Sequence, residues 1–156
     1  MRIPILALLA LSLATAARAD AVTFKRVWPQ WYDADSFQSF YEDHTGQELT
    51  GKWIVLRSRP AERAGFYFLT RVENSGGAIA GATFIVRVIA PDSTDTVTFN
   101  LPQDVPAGSH LFQIGLTGKD WSKPRVQPVA WEIELHAADG RLLAKAKSFL
   151  WEKGGQ

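Results

Sequence analysis

Short runs of alternating apolar and polar residues, separated by turn-forming residues, are the feature of this sequence that most restricts its fold. In the run 129–136, apolar side chains occupy every second position, and Asp139-Gly140 follows as a hairpin signal. Successive side chains of a strand point to opposite faces of the sheet, so such a run predicts a strand with one face in a core. We expect Glu132, Glu134 and His136 on the solvated face.

The same pattern recurs along the chain without any alternation of strands and helices. It predicts about eight strands, at residues 22–28, 52–58, 66–73, 80–90, 95–101, 110–117, 129–136 and 141–151. One short N-terminal helix is predicted within 30–46, capped by Asp33 or Asp35 and carrying Phe37, Phe40 and Tyr41 at helical spacing. We place Pro29 at the end of the first strand. The pattern predicts an all-β, antiparallel β-sandwich of immunoglobulin-like or fibronectin-III-like architecture, with a small barrel as the alternative.

Residues 1–19 have the pattern of a signal peptide. Arg2 precedes an apolar stretch over 3–16, and Ala17-Arg18-Ala19 forms a small-x-small cleavage site. We expect cleavage after Ala19, a single domain over 20–156, a periplasmic or secreted location, and no transmembrane segment in the mature chain. Cleavage removes two of the 17 Lys and Arg residues, which face 16 Asp and Glu, so the mature charge is about −1. Nothing in this charge balance predicts nucleic-acid binding.

The sequence contains no cysteine, which excludes disulfides, thiolate metal sites and a cysteine nucleophile. The three histidines, His44, His110 and His136, lie far apart, and no metal-binding spacing joins them. Phosphate-binding, dinucleotide-binding and serine-hydrolase motifs are also missing. We therefore expect neither a metal nor a cofactor.

The strands at 52–58 and 66–73 form the most aromatic and arginine-rich part of the sequence. If they pair directly and antiparallel, with Ser58 opposite Phe66, one face is nearly all apolar and enters the core. Its members are Ile54, Leu56, Ser58, Phe66, Phe68 and Thr70. The other face then carries two arginine–aromatic pairs, Trp53 with Arg71 and Arg57 with Tyr67. One interpretation covers this face with an N-terminal segment that contains Trp28, Trp31, Phe37 and Phe40. The other makes it a binding surface for an anionic group or a sugar.

The loop 118–124 is the second candidate site. Trp121 stands in it beside Lys119, Asp120 and Lys123, and loops on a rigid sandwich commonly carry binding residues. Trp121 could stack on a sugar ring or anchor a protein partner. In the alternative interpretation, Trp121 folds back and covers the open end of the sandwich.

These features predict an exported, non-enzymatic binding or accessory module, with an envelope protein or a glycan as partner. The alternative function is a glycan-acting hydrolase, which needs two carboxylates roughly 5–10 Å apart across a groove. Asp33 with Asp35, Glu42 with Asp43, and Glu132 with Glu134 are the paired carboxylates of the sequence.

Overall fold

The computed structural model describes residues 21–36 and 53–153, and these form a sandwich of two four-stranded sheets. The predicted all-β sandwich is confirmed. The strands are β1 (Val22–Tyr32), β2 (Trp53–Arg57), β3 (Gly65–Asn74), β4 (Thr83–Ile89), β5 (Thr96–Pro102), β6 (Gly108–Thr117), β7 (Ala130–His136) and β8 (Leu142–Lys147). The first sheet has the order β1-β3-β6-β2, and the second has the order β5-β4-β7-β8.

Aromatic side chains join the two sheets. Phe84 of β4 packs on Phe112 of β6 with ring centroids 5.0 Å apart, and Phe68 of β3 packs on Trp131 of β7 at 5.3 Å. The alternating residues Ala82, Phe84, Val86 and Val88 share one face of the segment 82–88, and all four are buried. Burial of each large apolar side chain stabilises the fold by roughly 1.5–3 kcal/mol.

The predicted direct pairing of 52–58 with 66–73 is wrong. Strand β6 lies between them, antiparallel to β3 and parallel to β2. The predicted core face nevertheless holds, since Leu56, Phe66 and Phe68 are buried. Side chains alternate with a period of two, so the face of each strand follows from its own sequence, whereas its neighbour does not.

The two ends of the described chain also differ from the prediction. Pro29 does not end β1; it lies within the strand opposite Phe68, as an edge strand allows. Residues 34–36 are helical, and the Asp33 carboxylate accepts a hydrogen bond from the Ser36 amide, as predicted for a cap. The rest of the predicted helix lies outside the described residues, as do residues 1–19 and His44. After β8 the chain turns into a short helix, α1 (Phe149–Lys153), where a strand was predicted.

No helix formed by the described residues is long and apolar enough to cross a membrane.

The predicted solvated face of β7 is wrong, because Glu132 and Glu134 are buried. Arg87 of β4 lies 2.7 Å from Glu132 and 3.1 Å from Glu134, and Lys145 of β8 lies 2.6 Å and 3.0 Å from the same two carboxylates. His136 Nε2 is 2.9 Å from Glu134 Oε2. We call these five residues the carboxylate network. Burial alone raises the pKa of Glu134, but hydrogen bonds from His136, Lys145 and Arg87 outweigh burial and lower this pKa to about 2.

Candidate functional site

A cleft of about 140 Å³ opens at one edge of the sandwich, between β5 and the loop that follows β6. We call it the β5 cleft. Its lining consists of Val88, Ala90, Pro91, Asp92, Val97, Phe99, Lys119, Asp120, Trp121, Ser122, Lys123 and Val126. The four residues singled out in the loop, Lys119, Asp120, Trp121 and Lys123, are therefore brought together here with the edge of the second sheet.

The floor of the cleft is apolar because β5 directs core-type side chains into it. Val97 pairs with Val88 and Phe99 pairs with Val86, so both share the inner face of the sheet. Val97 is nevertheless 46% exposed and Phe99 is half-buried, whereas Val86 and Val88 are fully buried. The core is thus uncovered at this edge. Val97 and Phe99 alternate with polar residues along the strand and so share one side of it, but nothing in the sequence indicates that this strand lies at an edge.

Trp121 forms one wall of the cleft from a short 3-10 helix, Gly118–Trp121. Its indole N–H donates to the Val126 carbonyl at 2.9 Å, and its ring contacts Phe66 with centroids 5.9 Å apart. Only 7% of Trp121 is exposed. This position matches the interpretation in which Trp121 covers the end of the sandwich, and it does not support Trp121 as an exposed anchor or stacking platform.

Ion pairs fix the charged residues at two sides of the cleft. Arg59 donates to both carboxylate oxygens of Asp120, at 3.0 and 3.1 Å, and Lys123 pairs with Asp92. The hydrogen bond from Arg59 lowers the pKa of Asp120, and the hydrogen bond from Lys123 lowers the pKa of Asp92. Neither pairing was predicted, since each joins segments that are distant in sequence.

Lys119 is the third cation at the cleft. It is exposed and forms no ion pair with any carboxylate of the part of the chain that the structure describes. The rim therefore combines two neutralised pairs with one cation that is open to a negatively charged ligand.

Arg57 and Tyr67 meet on the outer face of the first sheet, although not for the predicted reason. Both are in register with Gly115 of β6, which lies between them. Arg57 Nε donates to the Tyr67 hydroxyl at 2.9 Å, and that hydroxyl donates to the Arg63 carbonyl at 2.6 Å. A Cβ on Gly115 would lie 2.3 Å from the Tyr67 ring, so the glycine provides the space that the ring occupies.

Trp53 and Arg71 are not neighbouring partners in register, because Leu111 of β6 stands between them. Arg71 is exposed, and Trp53 is half-buried. Arg26 places its guanidinium over the ring of Trp28, 4.8 Å from the ring centroid.

The N-terminal segment does not act as the predicted separate cover, at least over its described part. Trp28 and Trp31 belong to β1 and so form part of the sheet itself, while Phe37 and Phe40 lie outside the described residues. Tyr67 is fully buried, and its ring forms a T-shaped contact with the ring of Tyr32, with centroids 5.7 Å apart. The binding role predicted for Arg57, Arg71, Trp53 and Tyr67 stays a prediction.

Acid–base chemistry has little support at the cleft. Asp92 and Asp120 both line it, but each is held ionised by a cation and has a lowered pKa. A glycosidase needs one carboxyl group with a raised pKa as the general acid. Within residues 21–36 and 53–153, no group of three or more His, Asp or Glu side chains is placed to bind a metal.

Comparisons with known proteins show similarity to solved structures alone. No family model matches the chain, and no curated protein matches it. Among solved structures, the chain is similar to an immunoglobulin-like protein from Pseudomonas aeruginosa, with 16% identity and a TM-score of 0.35, over 84% of this chain and 96% of that chain. The fold assignment rests on the two sheets described above.

Proposed function

We propose that this chain is an exported, non-enzymatic β-sandwich module that binds a protein partner at the cell envelope through the β5 cleft. The supporting observation is the uncovered core at β5, where Val97 is 46% exposed on the inner face of its sheet. Apolar surface in a concave, partly preformed site is what ligand-binding clefts share. A partner side chain placed there would complete packing that this chain leaves unfinished.

A protein partner fits the cleft better than a glycan. Sugar binding by stacking needs the exposed face of an aromatic ring, and Trp121 is only 7% exposed. The exposed part of the floor is instead aliphatic, at Val97, with Phe99 half-buried behind it. Aliphatic surface of this kind pairs with apolar side chains, which proteins supply and sugars do not.

The paired state of the acidic residues supports a role without catalysis. Asp120 is bonded by Arg59 and Asp92 by Lys123, so the two carboxylates of the cleft are ionised. The two buried acids of the carboxylate network are each held by Arg87 and Lys145. These ion pairs support the proposal over the hydrolase alternative, which requires a carboxyl group that donates a proton.

Export is supported by the sequence of residues 1–19, with its basic start, apolar stretch and Ala17-Arg18-Ala19 end. The same experiment can test export and binding. The full-length chain is expressed with a photo-crosslinking residue at Ser122, which is exposed and lines the cleft. We expect the envelope fraction to contain a chain that begins at Asp20 by mass and a discrete protein adduct after irradiation.

A matched pair of variants decides whether the adduct depends on the cleft. Val97 and Leu142 are 46% and 45% exposed, and each lies on an edge strand. Val97→Asp should reduce the adduct about tenfold, because it places a carboxylate in the apolar floor. Leu142→Asp should leave it unchanged. Equal yields from the two variants would reject the cleft as the binding site, and an unprocessed chain confined to the cytosol would reject export.

A further inference from the structure

Strand β5 differs from the other edge strands of the described sheets because it carries no charged residue. It has the sequence Thr-Val-Thr-Phe-Asn-Leu-Pro from Thr96 to Pro102. The other three edges carry basic side chains: Lys25 and Arg26 on β1, Arg57 on β2, and Lys145 and Lys147 on β8. Strand β1 also has a register shift between Phe24 and Arg26. Charges and bulges at an edge discourage pairing with another strand, and β5 lacks both.

The register of β5 shows which of its backbone groups point away from the sheet. The Gln103 amide donates to the Ala82 carbonyl at 2.9 Å, which makes these opposed residues a hydrogen-bonded pair. Hydrogen-bonded and non-hydrogen-bonded pairs alternate along an antiparallel ladder. The amides that point outward therefore belong to alternate residues, namely Thr96, Thr98 and Asn100. They form the hydrogen-bonding edge that an added strand needs.

The position of the cleft determines which side chains an added strand would bury. A strand beside β5 would lie about 4.8 Å from it, with every second side chain on the same face as Val97 and Phe99. That face opens into the cleft, where Trp121 and Val126 form the opposite wall. Alternate apolar side chains would thus fill the uncovered edge of the core. When a peptide is bound by strand addition to a sheet edge, main-chain hydrogen bonds give affinity and pockets for every second side chain give specificity.

The charge at the cleft indicates one further property of the segment. Asp92, Lys123, Asp120 and Arg59 are already paired within this chain. Lys119 is exposed and unpaired among the described residues, so a carboxylate on the segment is its complement.

We propose that β5 captures an extended segment of the partner protein as a fifth strand of its sheet, with alternate apolar side chains in the cleft and a carboxylate beside Lys119. This inference rests on the function proposed above and specifies how the partner is recognised.

The probe is a blocked synthetic peptide of about eight residues, a usual strand length, with Val alternating with Thr and Asp at one end. Its binding to the mature chain is followed by NMR. We expect the Thr98 and Asn100 amides to shift and to become protected from hydrogen exchange. Thr98→Pro removes one outward donor without touching the bonds to β4, so it should weaken binding about tenfold. Thr98→Val keeps the amide and should bind as the wild type does.

Two variations of the probe test the same geometry without altering the protein. N-methylation of the peptide amides that face β5 should abolish binding, whereas methylation of the intervening amides should not. Lys119→Gln should weaken binding of the Asp peptide but leave binding of a peptide with Asn in place of Asp unchanged. These tests remain decisive if Thr98→Pro fails to fold.

The outcomes separate this inference from the proposed function. If methylation of the peptide amides that face β5 leaves binding unchanged, β5 does not pair with the segment and the inference is overturned. If Val97→Asp still reduces the cross-link, the cleft would remain the binding site. Failure of the wild-type chain to bind the Asp peptide also overturns the inference. Binding at the cleft, as the proposed function states it, falls if the cross-link itself is independent of Val97.

Discussion

Gly115 leaves space on the outer face of the first sheet because it has no side chain. The Tyr67 ring lies over it, and the Tyr67 hydroxyl receives the hydrogen bond from Arg57. The sequence predicted that Arg57 and Tyr67 would be neighbours, but it did so from a direct pairing that the structure excludes. A contact between residues on either side of an intervening glycine cannot be found from the alternation of two strands, because the third strand is not part of the pattern.

Gly115→Ala should therefore destabilise the protein by roughly 1–3 kcal/mol, as overpacking does in a tightly packed site. A Cβ at this position would lie 2.3 Å from the Tyr67 ring, so the ring and its bond to Arg57 must move. Gly77→Ala is the control, since nothing lies within 4 Å of a Cβ there. Urea unfolding measures both. Equal midpoints for the two variants would show that Tyr67 moves aside without cost.

The hairpin of β7 and β8 depends on a histidine whose two ring nitrogens both face acceptors. His136 Nε2 lies 2.9 Å from a Glu134 carboxylate oxygen, and Nδ1 lies 2.9 Å from the Gly140 carbonyl oxygen. Only the doubly protonated imidazolium can donate to both. The hydrogen bond to Glu134 and the bond to Gly140 accordingly raise the pKa of His136 above its ordinary value. Arg87 opposes this rise, and Lys145 and Glu132 complete the charged surroundings.

The stability of this hairpin should depend on pH in two directions. The raised pKa of His136 gives a contribution that is complete below about 6.5 and is lost as the pH rises through the folded value. The lowered pKa of Glu134 gives a contribution that is present above about 4.5 and is lost as the pH falls toward about 2. Both contributions of the carboxylate network are therefore fully present between about pH 4.5 and pH 6.5.

We expect the wild-type urea midpoint to be higher at about pH 5.5 than at about pH 8, and His136→Gln to remove most of that difference. Arg141→Gln changes an exposed cation in the same turn and should keep the difference. A His136→Gln protein with the pH dependence of the wild type would exclude the imidazolium as its source.

The period of the side chains was enough to predict the faces of the strands but not their neighbours. Phe68 and Leu56 were placed in the core from alternation alone, and both are buried. The parallel contact of β2 with β6 and the burial of Glu134 could not be predicted. Each depends on residues that are distant in sequence. Strand β2 pairs with β6, where Arg57 stands opposite Gly115, and Glu134 forms an ion pair with Arg87. The cleft escaped prediction for the same reason, since β5 becomes an edge only in the assembled sheet.

The two sheets share one core, so a deletion in one should weaken both together. Phe68 is fully buried and packs on Trp131 of the opposite sheet. Phe68→Ala should lower the free energy of unfolding by roughly 3–5 kcal/mol, through lost burial and the cavity that remains.

Urea unfolding can follow this loss by circular dichroism and by tryptophan fluorescence, and we expect the two curves to coincide. Leu142→Ala, at a position that is 45% exposed, should change the midpoint little. Separate transitions for the two probes would instead mean that the sheets unfold independently.

The parallel pairing of β2 with β6 has a consequence for the order of folding. Strands β4 with β5, and β7 with β8, are joined by short turns and can form early as local hairpins. Strand β2 is expected to pair later, because its partner β6 begins at Gly108, about fifty residues after Arg57. A chain that emerges N-terminus first would expose β2 until β6 has arrived. We therefore expect the first sheet to close last, with the docking of β2 on β6 as its slow step.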